Sequence, residues 1–497
     1  MKNSMYKCLL FNVASGTNHV GNGRSVGIYR IAHYLRENNW EVEVIDFASA
    51  WSLDDIKLLI QSRYTDDLKF FGFSHMYSIW TNTLEDFCSW IKQTYPQIEL
   101  ISGSGIAPQF QSNCLDYYIQ GFGERALIEL LKWRFSNGHK PIFSLFKANG
   151  KPLISANDSY PSFPMKSLNV IYEDRDFIES HEWLGIEFAR GCKFACDFCN
   201  FPVLGVKGDY SRNSEDFELQ IRDAYDRFGV TNYLVSDETF NDRTEKITKF
   251  ADIVERLNFS PWFTGFIRPD LIISRPRDRE ELLRMGFLGH HYGVESFNYK
   301  AVKSVGKGMH PDKIKQGILD VKQYFETHGT NRYRTLLTFI LGLPGETVVD
   351  LQSTTQWLLD NWQGQAWTPF VLEIPLGELN RMSKMSLNYR EYGYREYTGK
   401  GKDIEFQQAR VSNELLVWEN DQMNYFQAYD IFEDMISKRN DINNSFTLAP
   451  WDLAMIGLPG DVTKRLRLHN SYLKCQEVDL IRQQFVDNYI RKKLNLC

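Results

Sequence analysis

Short apolar runs and amphipathic stretches alternate along the first 135 residues. Tyr6 to Val13 is an apolar run of strand length. Ser25 to Asn38 then places Val26, Ile28, Ile31, Ala32 and Leu35 at helical spacing, and Asn38-Asn39 ends the stretch. Glu41 to Phe47 alternates polar and apolar positions, as a strand with two unlike faces does. The same reading gives a helix over Leu53–Ser62, a strand over Lys69–Ser74 and a helix over Leu84–Gln93. Strands over Ile98–Ser102 and Tyr117–Gln120 and a helix over Glu124–Phe135 complete the set. Strand followed by helix, repeated, predicts a parallel sheet with crossover helices, a Rossmann-like unit over residues 1–138. Ligands of such sheets sit beyond the carboxyl ends of the strands.

Residues 139–180 break the pattern with Pro141, Pro152, Pro161 and Pro164, and read as a linker. A second alternating series fills residues 181–378. Its strands are Trp183–Ala189, Asn232–Ser236, Trp262–Phe266, His290–Val294, Thr335–Leu341 and Phe370–Ile374. Helices over Glu215–Phe228, Glu245–Leu257, Arg279–Met285, Lys313–His328 and Asp350–Asp360 separate them. Six such units predict an open, partial (β/α)6 barrel with its active residues at the strands' carboxyl ends. In residues 379–497, Tyr389, Tyr392, Tyr394 and Tyr397 crowd a polar segment, Glu414–Ser437 has helical patterning, and Leu480–Leu494 forms a terminal helix. This mainly helical extension is expected to close the barrel mouth and shape the substrate pocket. The fold class is therefore α/β.

Composition narrows the function classes. The chain of 497 residues carries a net charge of -6, which gives no bulk electrostatic case for nucleic-acid binding. The basic run from Lys300 to Lys315 reads as a solvated helix face, with a local phosphate contact as the alternative. No apolar stretch reaches transmembrane length, and the N-terminus lacks the order of a secretory signal. Cys8, Cys88, Cys114, Cys475 and Cys497 are scattered singly, which fits reduced thiols in a cytoplasmic protein.

The other three cysteines are not scattered. Cys192, Cys196 and Cys199 stand at Cys-x3-Cys-x2-Cys spacing with Phe198 just before the last. Three thiolates on one tight loop can bind three irons of a four-iron, four-sulfur (4Fe-4S) cluster, leaving the fourth iron open to substrate or cofactor. A structural zinc site needs four closed ligands, and no second Cys or His pair stands nearby in sequence. A disulfide framework needs an oxidising compartment.

This spacing resembles the radical S-adenosylmethionine (radical SAM) superfamily, in which the open iron chelates the amino and carboxylate groups of SAM and an electron splits the sulfonium to a 5'-deoxyadenosyl radical. The resemblance implies roles at the strand ends. Asp237 and Glu238 follow the second barrel strand, where relatives place an acid near the SAM amino group. Arg268 follows the third and can face the SAM carboxylate or the substrate. Glu295 and Ser296 end the fourth in a Gly-x-Glu-Ser-like phrase, with Glu295 a candidate for the ribose or methionine end of SAM. Gly342 and Gly345 bracket a Gly-Leu-Pro-Gly-Glu turn that helps position the adenine, and Phe198 packs near the adenine.

The first unit resembles the cobalamin-binding domain found ahead of many radical SAM cores. Gly103 and Gly105, and Gly121 and Gly123 before Glu124, stand where family members carry glycine turns that let backbone approach the corrin. The loop after the first strand departs from the family's cobalt-ligating Asp-x-His-x-x-Gly, because Thr17 stands for the acid, and His19 reads as a loop residue. The implied cofactors are a 4Fe-4S cluster, SAM and cobalamin. The implied reaction is radical modification of an unactivated carbon of a small-molecule or peptide substrate, with methyl transfer as its leading form and a flavodoxin or ferredoxin as electron donor. The alternative is cobalamin-independent epimerisation, rearrangement or carbon-carbon bond formation. A non-catalytic cobalamin or redox sensor would not need the polar strand ends.

Overall fold

The fold is a computed structural model that describes residues 6–12, 24–74, 81–104, 114–145, 147–148, 150–156, 169–199, 210–329, 332–376, 383–399, 415–442 and 471–495. Its first sheet joins β1 (Lys7–Asn12), β2 (Glu41–Ile45), β3 (Leu68–Ser74), β4 (Glu99–Ser104), β5 (Tyr117–Gln120), β6 (Lys147–Ala148) and β7 (Lys151–Ser155) in the order β2-β1-β3-β4-β5-β7-β6. All pairings are parallel except that of β6 with β7. The hairpin β6–β7 lies in the stretch expected to be a linker. Pro152 there reads as a breaker, but it sits near the sheet's edge, where a missing N–H is tolerated, while Leu153 and Ile154 are buried.

The strands alternate, so this sheet has two apolar faces. Leu10, Val42, Val44, Phe70 and Ile119 pack with the helices Val26–Glu37 and Glu124–Phe135. Leu9, Phe11, Ile45, Phe71 and Phe73 pack with Leu53–Arg63 and Thr81–Thr94. The terminal helix Ser471–Leu494 joins this second face through Val486, Tyr489 and Ile490. It therefore completes the N-terminal unit instead of the barrel mouth. Asp46 N–H donates to the Tyr489 hydroxyl at 2.9 Å, and Lys493 pairs with Glu43 at 3.1 Å, so polar anchors fix the same contact.

The second sheet is the six-stranded partial barrel, all parallel, in the order β15-β14-β13-β12-β11-β8. Its strands are β8 (Trp183–Ile186), β11 (Asn232–Val235), β12 (Trp262–Ile267), β13 (Phe287–Glu295), β14 (Arg334–Leu341) and β15 (Ala366–Val371). Two short pieces, β9 (Ala189–Arg190) and β10 (Tyr210–Ser211), pair antiparallel at the base of the cysteine loop. The helices between the strands start where local chemistry starts them: Asn213 caps Ser214–Phe228, Thr347 and Asp350 form a capping box at Val348–Asn361, and Pro311 opens Pro311–His328.

Two expectations shift. The sixth strand is Ala366–Val371 and not Phe370–Ile374, because the chain beyond Val371 leaves the barrel and pairs with residues 415–416. Pro369 is tolerated on this edge strand. The pattern over Glu414–Ser437 divides into β17 (Trp418–Glu419), which pairs with β16 (Arg395–Glu396), and the helix Tyr425–Ile442. Between them the Asn420 side chain accepts from Gln422 and Met423 N–H, an Asx turn that interrupts the helix. Among the described residues no helix is long and apolar enough to cross a membrane.

The two units meet at β8. Arg24 forms a parallel bridge to Leu184, and Val26 lies so close to Gly185 that a Cβ there would stand 2.7 Å from it. The Arg24 guanidinium is buried and donates to Glu182 at 2.6 Å and to the Tyr29 hydroxyl at 3.1 Å.

Candidate functional site

The cysteine loop leaves the carboxyl end of the first barrel strand. Gly191 has φ +89°, a left-handed value that glycine adopts without strain and that turns the chain out of β9. Cys192, Cys196 and Cys199 follow, all half-buried and none in a disulfide. The loop is held on three sides. Asp197 N–H donates to the Val305 carbonyl at 3.1 Å, and Met385 N–H donates to the Asp197 carbonyl at 2.8 Å. The Asp197 carboxylate accepts from Lys384 at 3.0 Å and from the Tyr392 hydroxyl at 2.5 Å. The segment after the barrel thus straps the cysteine loop.

Two contacts reach the sulfurs. Arg268 Nη1 donates to Cys196 Sγ at 3.5 Å while its guanidinium lies 3.9 Å from the centre of the Phe194 ring. Thr239 Oγ1 is 3.6 Å from Cys192 Sγ. Among the described residues, no three Cys, His, Asp or Glu side chains converge on a point that one metal ion could fill. A cubane asks for something else: each cysteine takes a separate iron corner, so the three sulfurs stand apart around it. Three unbridged thiols on one loop, with a cation beside one of them, fit that anionic cluster and do not form a closed mononuclear zinc site.

The strand ends ring this loop. After β11, Asp237 is buried and its Oδ1 accepts from Phe188 N–H at 2.7 Å and Ala189 N–H at 3.2 Å. It holds the backbone that leads into the cysteines. Asp237 Oδ2 and Glu238 Oε2 are both shielded from solvent without a hydrogen-bond partner, but Lys246 stands 3.8 Å from Asp237, and burial with Asp237 alongside pushes the Glu238 carboxyl up to about 7. An unsatisfied buried carboxylate oxygen fits a ligand ammonium. After β12, Arg268 also pairs with Asp270 at 2.8 Å.

At the end of β13, Glu295 has φ +69°, a strained value for a residue with a Cβ, and pairs with Lys307 at 2.8 Å. The Lys307 ammonium lies 5.9 Å from the Phe198 ring centre, which links this strand end to the cysteine loop. Ser296 donates to Glu346, whose other oxygen accepts from Gly342 N–H at 2.9 Å and Leu343 N–H at 3.3 Å. Gly342 and Gly345 have φ +93° and +82°, and Trp418 packs so tightly under Gly342 that a Cβ would come within 2.3 Å of its ring.

On the N-terminal unit, Gly103, the penultimate residue of β4, has open space around it: a Cβ would meet only the Ile119 carbonyl, at 3.9 Å. Gly121 turns with φ +95°, and Gly123 gives helix Val26–Glu37 room to pack against β5. Gly105 and His19 lie outside the described residues. The turn at Gly121 is not remote from the cysteines. Arg190, two residues before Cys192, donates to Glu124 at 2.5 Å and covers the Phe122 ring at 4.2 Å. Arg30 and Glu187 complete a buried group of two cations and two anions.

Sequence reading missed this group because its members lie in three separate segments. It also missed Asp197, Thr239, Lys307 and Glu346 as supports, although Asp197 lies inside the cysteine motif, Thr239 in the strand end with Asp237 and Glu238, and Glu346 closes the Gly-Leu-Pro-Gly-Glu turn.

Comparison with known proteins follows the same outline. Residues 186–358 match the model of the radical SAM superfamily. A protein of Methanocaldococcus jannaschii described as a methylthiotransferase is 26% identical over 201 residues, which span 39% of this chain and 43% of that one, so the match covers less than half of the curated relative. The radical SAM methyltransferase TsrM from Kitasatospora setae, solved with cobalamin and a 4Fe-4S cluster, is 12% identical and superposes with a TM-score of 0.66 over 97% of this chain and 99% of that chain. The cobalamin-dependent SAM radical enzyme OxsB, solved with aqua-cobalamin, is 14% identical with a TM-score of 0.60 over 96% of this chain and 72% of that chain. Residues 186–358 thus match the radical SAM superfamily, and the chain as a whole has the fold of TsrM and OxsB, with a Rossmann-like parallel-sheet unit in front of the barrel.

Proposed function

We propose that this chain is a cobalamin-dependent radical SAM methyltransferase acting on an unactivated carbon. The observation that carries the reading is the ion pair between Arg190 and Glu124, which sets the carboxyl end of β5 against the loop of Cys192, Cys196 and Cys199. The two sheets' carboxyl ends are therefore held side by side, so that two large cofactors bound there would face one substrate. When bound, the cluster with SAM supplies a strongly oxidising carbon radical and the corrin supplies a transferable methyl group.

The chain's residues bind, orient and exclude water. Cys192, Cys196 and Cys199 are the cluster ligands. Arg268 places positive charge beside Cys196. Glu238 offers its unsatisfied oxygen to the SAM ammonium, while Asp237 keeps the loop's base in place. Glu295 with Lys307, and the turn of Gly342 and Gly345 fixed by Glu346 and Ser296, shape the nucleoside end, with Phe198 across from them. Gly103, Gly121 and Gly123 leave room for the corrin. A one-electron donor of the flavodoxin or ferredoxin kind completes the system.

The test is anaerobic reconstitution with iron, sulfide and hydroxocobalamin, followed by SAM and reductant. The reading expects visible bands of both cluster and corrin, 5'-deoxyadenosine, and loss of that product in Cys196→Ala. Protein that takes up the cluster and never the corrin contradicts the methyltransferase reading.

A further inference from the structure

The barrel strands sort their side chains by face. Phe263, Ile267, Tyr292 and Leu337 point outward onto the helices and are at most 1% exposed. Leu234, Phe266 and His291 point into the lumen and are each only half-buried, although the barrel surrounds them. The lumen wall therefore borders open space at these three positions, while Thr264 and Leu336 on the same face are buried.

Register sets Phe266 beside His291 and His291 beside Leu336. The rings of Phe266 and His291 lie 4.3 Å apart at 30°. Leu234 pairs with Thr264 on the same face. These side chains carry no formal charge, and burial pushes the His291 imidazole down to about 3, so it stays neutral. Charge begins one tier up: Arg268 stands two residues beyond Phe266, and the Glu295–Lys307 pair caps β13. Two strand residues span about 6–7 Å. The upper tier suits the charged ends of SAM. The lower tier suits a group with no charge and a flat face.

We propose that Phe266 and His291 form the substrate subsite, taking an uncharged, planar aromatic or heteroaromatic group stacked on the ring pair, with the imidazole as hydrogen-bond partner to one ring heteroatom. This names the substrate class of the reaction proposed above and rests on that reading for its place beside the cluster. The reacting carbon is then presented upward from an apolar floor, away from bulk water.

The test titrates the full-length reconstituted protein with indole and with benzoate by calorimetry, in the presence of SAM. Saturable binding of indole and none of benzoate is expected. Phe266→Leu and His291→Leu should each weaken indole about five- to tenfold, the worth of a lost ring contact. Phe266→Tyr keeps the ring and the fold and should bind as the wild type does. Absence of saturable indole binding, equal binding of benzoate, or wild-type affinity in both leucine variants overturns the subsite. Deoxyadenosine formation in the same preparation reports separately: cleavage of SAM without indole binding removes the subsite and leaves the radical SAM reading intact.

Discussion

The Arg190 guanidinium reaches out of the barrel to the Glu124 carboxylate at 2.5 Å, and both side chains are buried. Glu124 opens the helix beyond the Gly121–Gly123 turn, so the pair joins that turn to the base of the cysteine loop. Burial alone would raise the Glu124 carboxyl, but Arg190 and Arg30 hold it down at about 2. Replacing Glu124 by Ala leaves two buried cations facing Glu187 alone and should cost about 3–5 kcal/mol in denaturant unfolding. The pair also sets a pH dependence. A depressed carboxylate contributes stability fully above its ordinary value of 4.5 and loses it as pH falls towards about 2. The urea midpoint of the wild type should fall through that window, and that of Glu124→Gln should fall less.

Arg268 is expected to tune the cluster. A cation that donates to a cysteine sulfur favours the more negative, reduced state and raises the potential. Arg268→Leu should therefore lower the midpoint potential, on the order of tens of millivolts, in an EPR-monitored redox titration. Arg268→Lys should recover part of the shift. An unchanged potential in the leucine variant would place the guanidinium outside the cluster's field.

Glu346 gives the opposite pH sign from Glu124. Burial pushes its carboxyl up to about 7 even though Ser296, Gly342 and Leu343 donate to it. A carboxyl raised above its ordinary 4.5 stabilises the fold below that value and loses its contribution as pH rises through about 7. The loss is on the order of 3 kcal/mol. Glu346→Gln should flatten the stability profile between those limits, with thermal melts across the range as the measurement.

Much of the barrel was legible because its strands and helices are short, separate and strongly patterned, and because the polar strand ends follow them in order. Glycine and cysteine positions carried the site for the same reason: a turn such as Gly342 to Gly345 is written in adjacent residues. What could not be read was distance. Arg30, Glu124, Glu187 and Arg190 meet only once two sheets are docked. The hairpin β6–β7 was hidden by Pro152, which reads as a breaker wherever the edge of the sheet is unknown. The helix Ser471–Leu494 shows its apolar residues in sequence, but nothing there says that Tyr489 and Ile490 cover the N-terminal sheet and not the barrel. Asp237 and Glu238 are adjacent and chemically alike, each with one buried oxygen that takes no hydrogen bond, and only the hydrogen bonds from Phe188 and Ala189 with Lys246 at 3.8 Å mark Asp237 as the scaffold acid.

The central claim is that the loop of Cys192, Cys196 and Cys199 holds a cubane with one iron left for SAM. EPR of the anaerobically reconstituted, reduced protein, recorded before and after SAM is added, tests it most directly. The account predicts a 4Fe-4S signal with roughly four irons per chain, altered in its g-values by SAM and absent from Cys196→Ala. A full-strength signal that SAM leaves unchanged, or a signal that survives in Cys196→Ala, would contradict it.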